Sequence, residues 1–296
     1  MRNPLSKTIE QIKPSGIRKF FDIVSEMPHA ISLGVGEPDF DTPWHVRSEG
    51  IRSLEKGRTF YTSNSGLIEL RQEICKWYQR KYNVLYDYKT EALLTVGGSE
   101  GIDVALRAML DPGDEVIIPE PCYVSYVPCV QLIGAVPVTI ELKNENQFRL
   151  TPEELLAAIT DKTKILILAF PSNPTGAVMT KEDLEPIAKI CQEKDIYVIS
   201  DEIYSELTYG GQKHCSISSL PGMKERTIVI NGFSKAYAMT GWRLGYALAP
   251  EVIAHQMTKI HQFAIMCAPT TSQYAAIEAI KNGDADIEKM CKSYDQ

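Results

Sequence analysis

Residues 180–204 read TKEDLEPIAKICQEKDIYVISDEIY, and this stretch decides the fold class. Thr180 precedes a helical repeat in which Leu184, Ile187, Ala188 and Cys191 share one face, so a helix is predicted over 181–194. The period then changes. Ile196–Ser200 is almost continuously apolar, as strands covered on both faces are. A helix feeding a two-sided strand predicts an α/β protein with a mainly parallel sheet. Further strands are read at 93–96, 115–118, 136–142, 164–170, 227–230 and 244–248. Helices are read at Gly101–Leu110, after Ser99, and at Pro152–Ile159, where Thr151 and Glu154 form a capping box. The expected architecture is a three-layer αβα domain around a seven-stranded sheet.

The pattern differs at both flanks. Residues 1–45 read as an arm with loop signals at Gly34, Gly36, Pro38 and Pro43. Residues 46–82 read as two helices interrupted by Tyr61–Gly66. After Pro250 two more helices are expected, and the last pattern stops at Tyr294–Gln296 without a capping signal.

Composition narrows the function. A net charge of −7 over 296 residues argues against a nucleic-acid partner, which needs a basic face. The seven cysteines and five histidines are scattered without metal-ligand spacing, so no metal site is expected, and the odd cysteine count suits a reducing, cytoplasmic compartment. No apolar run approaches membrane-spanning length.

Chemistry concentrates where strands end, the place at which open α/β sheets collect ligands. Gly232-Phe233-Ser234-Lys235 follows one strand, and Arg243-Leu244-Gly245 comes after a seven-residue loop. A lysine among small residues is sterically open and poorly solvated, which favours the neutral amine that attacks an aldehyde. Arginine suits phosphate through its two-pronged fork. Asp201 ends another apolar strand, where a carboxylate can keep a pyridine nitrogen protonated. Tyr204, three residues on, is within reach of a ring's phenolic oxygen. Asp201-Glu202 would also suit the magnesium of an ATPase, but the sequence has no G-x-x-x-x-G-K-[ST] loop. Gly97-Gly98-Ser99-Glu100-Gly101 offers backbone amides to an anion. The rigid Pro171-Ser172-Asn173-Pro174-Thr175-Gly176 loop presents the Asn173 amide. Tyr123 is read as beginning a helix and stacking on a ring; an aromatic there also serves as core.

These five motifs, in this order, resemble the class I/II aminotransferases of fold type I, pyridoxal-phosphate enzymes, and the resemblance runs from Lys13-Pro14-Ser15-Gly16 to the final helix. It implies that Lys235 carries pyridoxal 5′-phosphate as a Schiff base and moves the substrate proton. Asp201 then pairs with the ring nitrogen, Tyr204 and Asn173 bond the phenolic oxygen, and Tyr123 stacks on the ring. Gly98, Ser99, Glu100 (by backbone), Ser234 and Arg243 surround the phosphate. Tyr61 resembles the family tyrosine that reaches the neighbouring subunit's phosphate, which implies a homodimer. Gly36, within Gly34-Val35-Gly36-Glu37-Pro38-Asp39-Phe40, resembles the substrate-contacting loop, with Tyr123 and Asn173 also facing substrate.

Two departures stand out. Family members often have serine three residues before the lysine, where this chain has Gly232. They also continue into a C-terminal small domain whose arginine clamps the substrate carboxylate. The expected division is therefore an arm and part of the small domain over 1–45, a cofactor domain over 46–284, and the start of a connecting helix over 285–296, with poor turnover for this chain alone. The implied activity is amino transfer between an L-amino acid, aspartate-like or aromatic, and a 2-oxo acid. A carbon–sulfur β-lyase or related synthase, and a cofactor-binding sensor without turnover, share the same motifs.

Overall fold

The computed structural model describes residues 2–14, 23, 27 and 36–296; Ser15, Gly16, Gly34 and Val35 lie outside them. Seven strands form one sheet: β1 (Ala92–Thr95), β2 (Glu115–Glu120), β3 (Val136–Glu141), β4 (Thr163–Ala169), β5 (Tyr197–Asp201), β6 (Thr227–Gly232) and β7 (Gly245–Leu248). Their order across the sheet is β1-β7-β6-β5-β4-β2-β3. β7 runs antiparallel to both β1 and β6, and the other pairings are parallel.

Helices cover both faces, and the period of two along each strand sorts the residues between them. Leu93, Val116, Ile118, Ile165, Ile167, Ile199, Ile228 and Ile230 point to one face. There they meet α4 (Gly97–Met109), α5 (Tyr126–Leu132) and α8 (Glu251–Ala264). Leu94, Val229, Tyr246 and Leu248 point to the other face, against α2 (Trp44–Glu55), α3 (Ile68–Tyr82), α9 (Thr270–Asn282) and α10 (Asp284–Tyr294). On that same face Leu166, Leu168 and Val198 meet α6 (Pro152–Ala158) and α7 (Lys181–Glu193). A short helix, α1 (Lys7–Gln11), precedes them in the chain. None of the helices among the described residues is long and apolar enough to cross a membrane.

Local signals set the helix starts. Thr151 and Glu154 exchange bonds of 3.3 and 3.1 Å with each other's backbone N–H, the expected capping box. Thr180 and Asp183 do the same at 3.3 and 2.8 Å.

Three expectations need correction. The helix read from Gly101 begins at Gly97, because Glu100 caps the N–H of Val96 and draws Gly97–Glu100 into the first turn. The helix read from Tyr123 begins at Tyr126. A turn closed by Tyr126 N–H on the Tyr123 carbonyl, at 3.2 Å, comes first. After Pro250 there are three helices, not two, since the chain bends at Gly283 between α9 and α10.

α10 is fastened to α2 by His45. Its Nδ1 lies 2.8 Å from Glu278 on α9 and its Nε2 lies 2.8 Å from Asp286 on α10. Partial burial lowers the His45 pKa, but the bonds to Asp286 and Glu278 outweigh this and raise it above the ordinary 6.5. The clasp therefore adds stability below pH 6.5 that is lost as pH rises through the raised value. His45→Ala should cost about 1 kcal/mol in all at pH 6, since such half-exposed pairs contribute little, and less at pH 9. Thermal melts in which the penalty is equal at both pH values would contradict this.

Candidate active site

Every parallel strand delivers its carboxyl end to one edge of the sheet. β7 brings its amino end there as well, because it runs backward between β1 and β6, with Thr95 and Gly232 both in register with Gly245. The loops after β1 and β6 and the turn before β7 thus converge. The approach is close. A Cβ on Gly245 would lie 2.6 Å from the Gly97 carbonyl carbon and 2.7 Å from the Gly98 nitrogen. A Cβ on Gly232 would lie 2.9 Å from the Gly245 Cα, so a serine there would force the strands apart, which is a physical reason for that departure.

Arg243, with φ of +52°, turns back into this edge. Its Nη2 would be 2.7 Å from a Cβ at Gly97, so the guanidinium lies against the loop that carries Gly98 and Ser99. Its Nη1 donates to the Thr240 carbonyl at 3.1 Å. Ser234 is buried in the neighbouring turn. Ser99 Oγ and the Tyr123 hydroxyl are 3.4 Å apart.

Lys235 is half-buried, with Nζ 5.5 Å from the centre of the Tyr204 ring and donating to the Gly36 carbonyl. Burial pushes its pKa down; the nearby Glu37 carboxylate opposes that, and Arg243 adds to it. The amine thereby carries its proton less tightly than an ordinary lysine.

Asp201 is buried on the face shared with α5. Its Oδ2 accepts from the Tyr126 hydroxyl at 2.7 Å and its Oδ1 from Ile203 N–H at 3.1 Å. Burial raises its pKa, against the lowering effect of those two bonds. Glu202, the next residue, faces the opposite layer, where Tyr78 and Ser216 bond it at 3.1 and 2.5 Å. Burial, followed by the Asp201 charge and Tyr123, raises the Tyr204 hydroxyl's pKa.

Lys235, Tyr204, Asp201, Tyr123, Ser99, Gly98, Glu100, Ser234, Arg243 and Gly36 are therefore gathered at one edge. Two expected residues make no side-chain contact there. Asn173 follows β4, beside the end of β5, but is exposed, and its amide has no hydrogen bond among the described residues. Tyr61 is 80% exposed between α2 and α3, and its hydroxyl likewise has no partner among them. Two neighbours escaped the sequence reading. Tyr126 was visible only as a second tyrosine three residues after Tyr123. Glu37 was visible only as a charge inside a turn.

The segment beyond Gly36 crosses this edge. Glu37 accepts from the Thr240 hydroxyl at 2.9 Å, and Asp39 N–H donates to the Tyr294 hydroxyl at 3.1 Å. Phe40 stands edge-on to Tyr294 at 5.4 Å, and Thr42 donates to the Ala238 carbonyl at 2.5 Å.

Comparisons with known proteins bear on this arrangement. Residues 28–296 match the family described as aminotransferase class I and II. The chain is 52% identical to the putative aminotransferase YugH of Bacillus subtilis, over 99% of this chain and 76% of that protein. Among solved structures it is similar to an aromatic aminotransferase from Pyrococcus horikoshii, with TM-score 0.88 and 45% identity, over 94% of this chain and 74% of that one. It is also similar to Thermus thermophilus aspartate aminotransferase with maleate, with TM-score 0.94 and 38% identity, over 99% of this chain and 78% of that one. The chain belongs to the class I and II aminotransferases, enzymes that use pyridoxal phosphate.

Proposed function

We propose that this chain transfers an amino group between an L-amino acid, aspartate-like or aromatic, and a 2-oxo acid, with Lys235 as its catalytic amine. The observation that carries the reading is that a half-buried lysine of lowered pKa, in the turn after β6, and a buried carboxylate of raised pKa, at the end of the adjacent strand β5, lie at one edge of the sheet. Groups whose environments push their pKa values away from normal are the mark of acid–base sites. Aspartate and aromatic amino acids are named as substrates for relatives such as the Pyrococcus abyssi and Thermococcus litoralis enzymes, at 45% and 44% identity.

The residues fit pyridoxal phosphate. Asp201 is a buried carboxylate bonded only by neutral donors, and a protonated ring nitrogen supplies the cation it lacks. The crossing leaves no room for a side chain at Gly232 or Gly245, so the backbone amides of the loop after β1, with Arg243 laid against that loop, stay open to a phosphate. When bound, the cofactor supplies an aldehyde and a ring that withdraws electrons from the substrate α-carbon.

The chain's own groups do the rest. Lys235 takes and returns the proton at the α-carbon, and its lowered pKa keeps a fraction of the amine neutral for this. Asp201, oriented by Tyr126 and Ile203 N–H, keeps the ring nitrogen protonated. Tyr204 and Asn173 donate to the phenolic oxygen. Tyr123 covers the ring. Gly98, Ser99, Glu100 (by backbone), Ser234 and Arg243 hold the phosphate. Gly36 lines the substrate side of Lys235. Residues 46–284 serve as the cofactor domain.

A homodimer completes this reading. Phe60 and Tyr61 are each 80% exposed, and Phe263 is 83% exposed. Exposed aromatics of this kind suit a protein interface. Tyr61 would then reach the partner's phosphate. The seven unpaired cysteines support a reducing, cytoplasmic setting.

Borohydride treatment with pyridoxal phosphate should fix the cofactor on Lys235, and Lys235→Ala should lose both the adduct and amino transfer. Attachment elsewhere would sink the assignment. Release of pyruvate and ammonia from cystathionine without an oxo-acid acceptor would favour the lyase. Mixing Lys235→Ala with Tyr61→Ala chains should rebuild one native site per heterodimer and restore cofactor affinity; no recovery would argue against shared sites.

Asp201→Asn should raise the apoprotein's thermal midpoint at neutral pH while abolishing transfer. The sign follows from the raised folded pKa: the ionised group destabilises the fold above that value, and the effect vanishes below the ordinary 3.8. A lower midpoint at pH 7 would contradict it.

A further inference from the structure

Glu100 stands in the first turn of α4, beside the amides assigned above to a phosphate. A carboxylate there competes for the same N–H groups and the same positive helix end. Both of its oxygens are engaged. Oε2 accepts from Val96 N–H at 2.5 Å, and Oε1 lies 2.6 Å from Nδ1 of His261. A carboxylate only accepts, so Nδ1 carries the proton that is shared.

His261 comes from α8, packed beside α4 on the same face of the sheet. Its side chain is fully buried, and that of Glu100 is 10% exposed. His261 Nε2 has no hydrogen-bond partner among the described residues, so Glu100 is the ring's one polar contact. An apolar side chain of similar size would fill the space without an unpaired buried nitrogen. Whatever offsets that cost is found at Glu100.

Val96 is where the chain leaves β1, immediately before Gly97 turns with φ of +75°. Fixing the Val96 N–H fixes the direction in which the amides of Gly98 and Ser99 emerge. We propose that His261 is a positioning residue for the phosphate end of the cofactor: through Glu100, it holds the Val96–Ser99 backbone in its anion-binding form. This rests on the reading that Gly98 and Ser99 bind the phosphate.

The test compares dissociation constants of the full chain for pyridoxal 5′-phosphate and for pyridoxal, with thermal unfolding of each variant as a control. His261→Leu should weaken the phosphorylated ligand about tenfold, the loss expected for one hydrogen bond to a charged group, and leave pyridoxal within about twofold. His261→Asn, whose amide nitrogen can replace Nδ1, should recover most of that loss. Equal weakening of both ligands, no weakening, or no recovery with asparagine would overturn the proposal.

Glu100→Ala guards against a leucine variant that does not fold. Alanine offers no acceptor to Val96 N–H and no contact to His261, so the same selective loss is expected, and an unchanged ratio between the two ligands overturns the proposal. Ser99→Ala separates the two readings. If it weakens both ligands alike, the loop does not hold the phosphate and both readings fall. If it is selective while His261→Leu is not, only the positioning role falls.

Discussion

Because β7 runs antiparallel between β1 and β6, its amino end meets the carboxyl ends of those strands, and three backbone segments must cross at Gly245. A side chain at that crossing would collide with the main chain of Gly97 and Gly98. The rest of the site is arranged around this contact. It lays the Arg243 guanidinium against the first turn of α4, and it brings the turn bearing Ser234 and Lys235 alongside. A sheet parallel throughout would carry Arg243 to the opposite edge, away from the lysine.

The same edge holds groups that the fold tolerates at a cost. Asp201 is a buried acid with a raised pKa, and Lys235 is a base pushed the other way. Neither has an opposite charge bonded to it among the described residues. Apolar packing above and below the sheet supplies the stability that lets these positions remain, as at most catalytic centres. Period-two geometry also explains why adjacent acids differ. Asp201 faces Tyr126 and the reactive edge, whereas Glu202 turns into a closed hydroxyl network with Tyr78 and Ser216.

Six of the strands could be read from the sequence because they are covered on both faces, which leaves apolar runs such as Leu166–Leu168 and Ile228–Ile230, whereas β3, an edge strand in which only Ile140 is buried, was legible through its β-branched Val136, Val138, Thr139 and Ile140. The Thr151 box was legible because both capping partners lie within four residues. Contacts between distant segments were not. His261 reads as one polar residue in an ordinary amphipathic helix, and only folding sets it beside Glu100, 161 positions away. Tyr126 becomes meaningful once β5 brings Asp201 beneath it. The bend at Gly283 was missed because Asn282-Gly283-Asp284 can either end the last helix or join two, and local chemistry alone does not choose between them.

The contact of Tyr294 with Asp39 and Phe40 gives the far end of α10 a mechanical hold on the strap that reaches Gly36. Gly36 in turn receives the Lys235 amine. Segments more than 250 residues apart in the chain thus meet in one run of contacts, from the tip of α10 along the strap to the reactive nitrogen, and Glu37 and Thr42 pin the strap on the way.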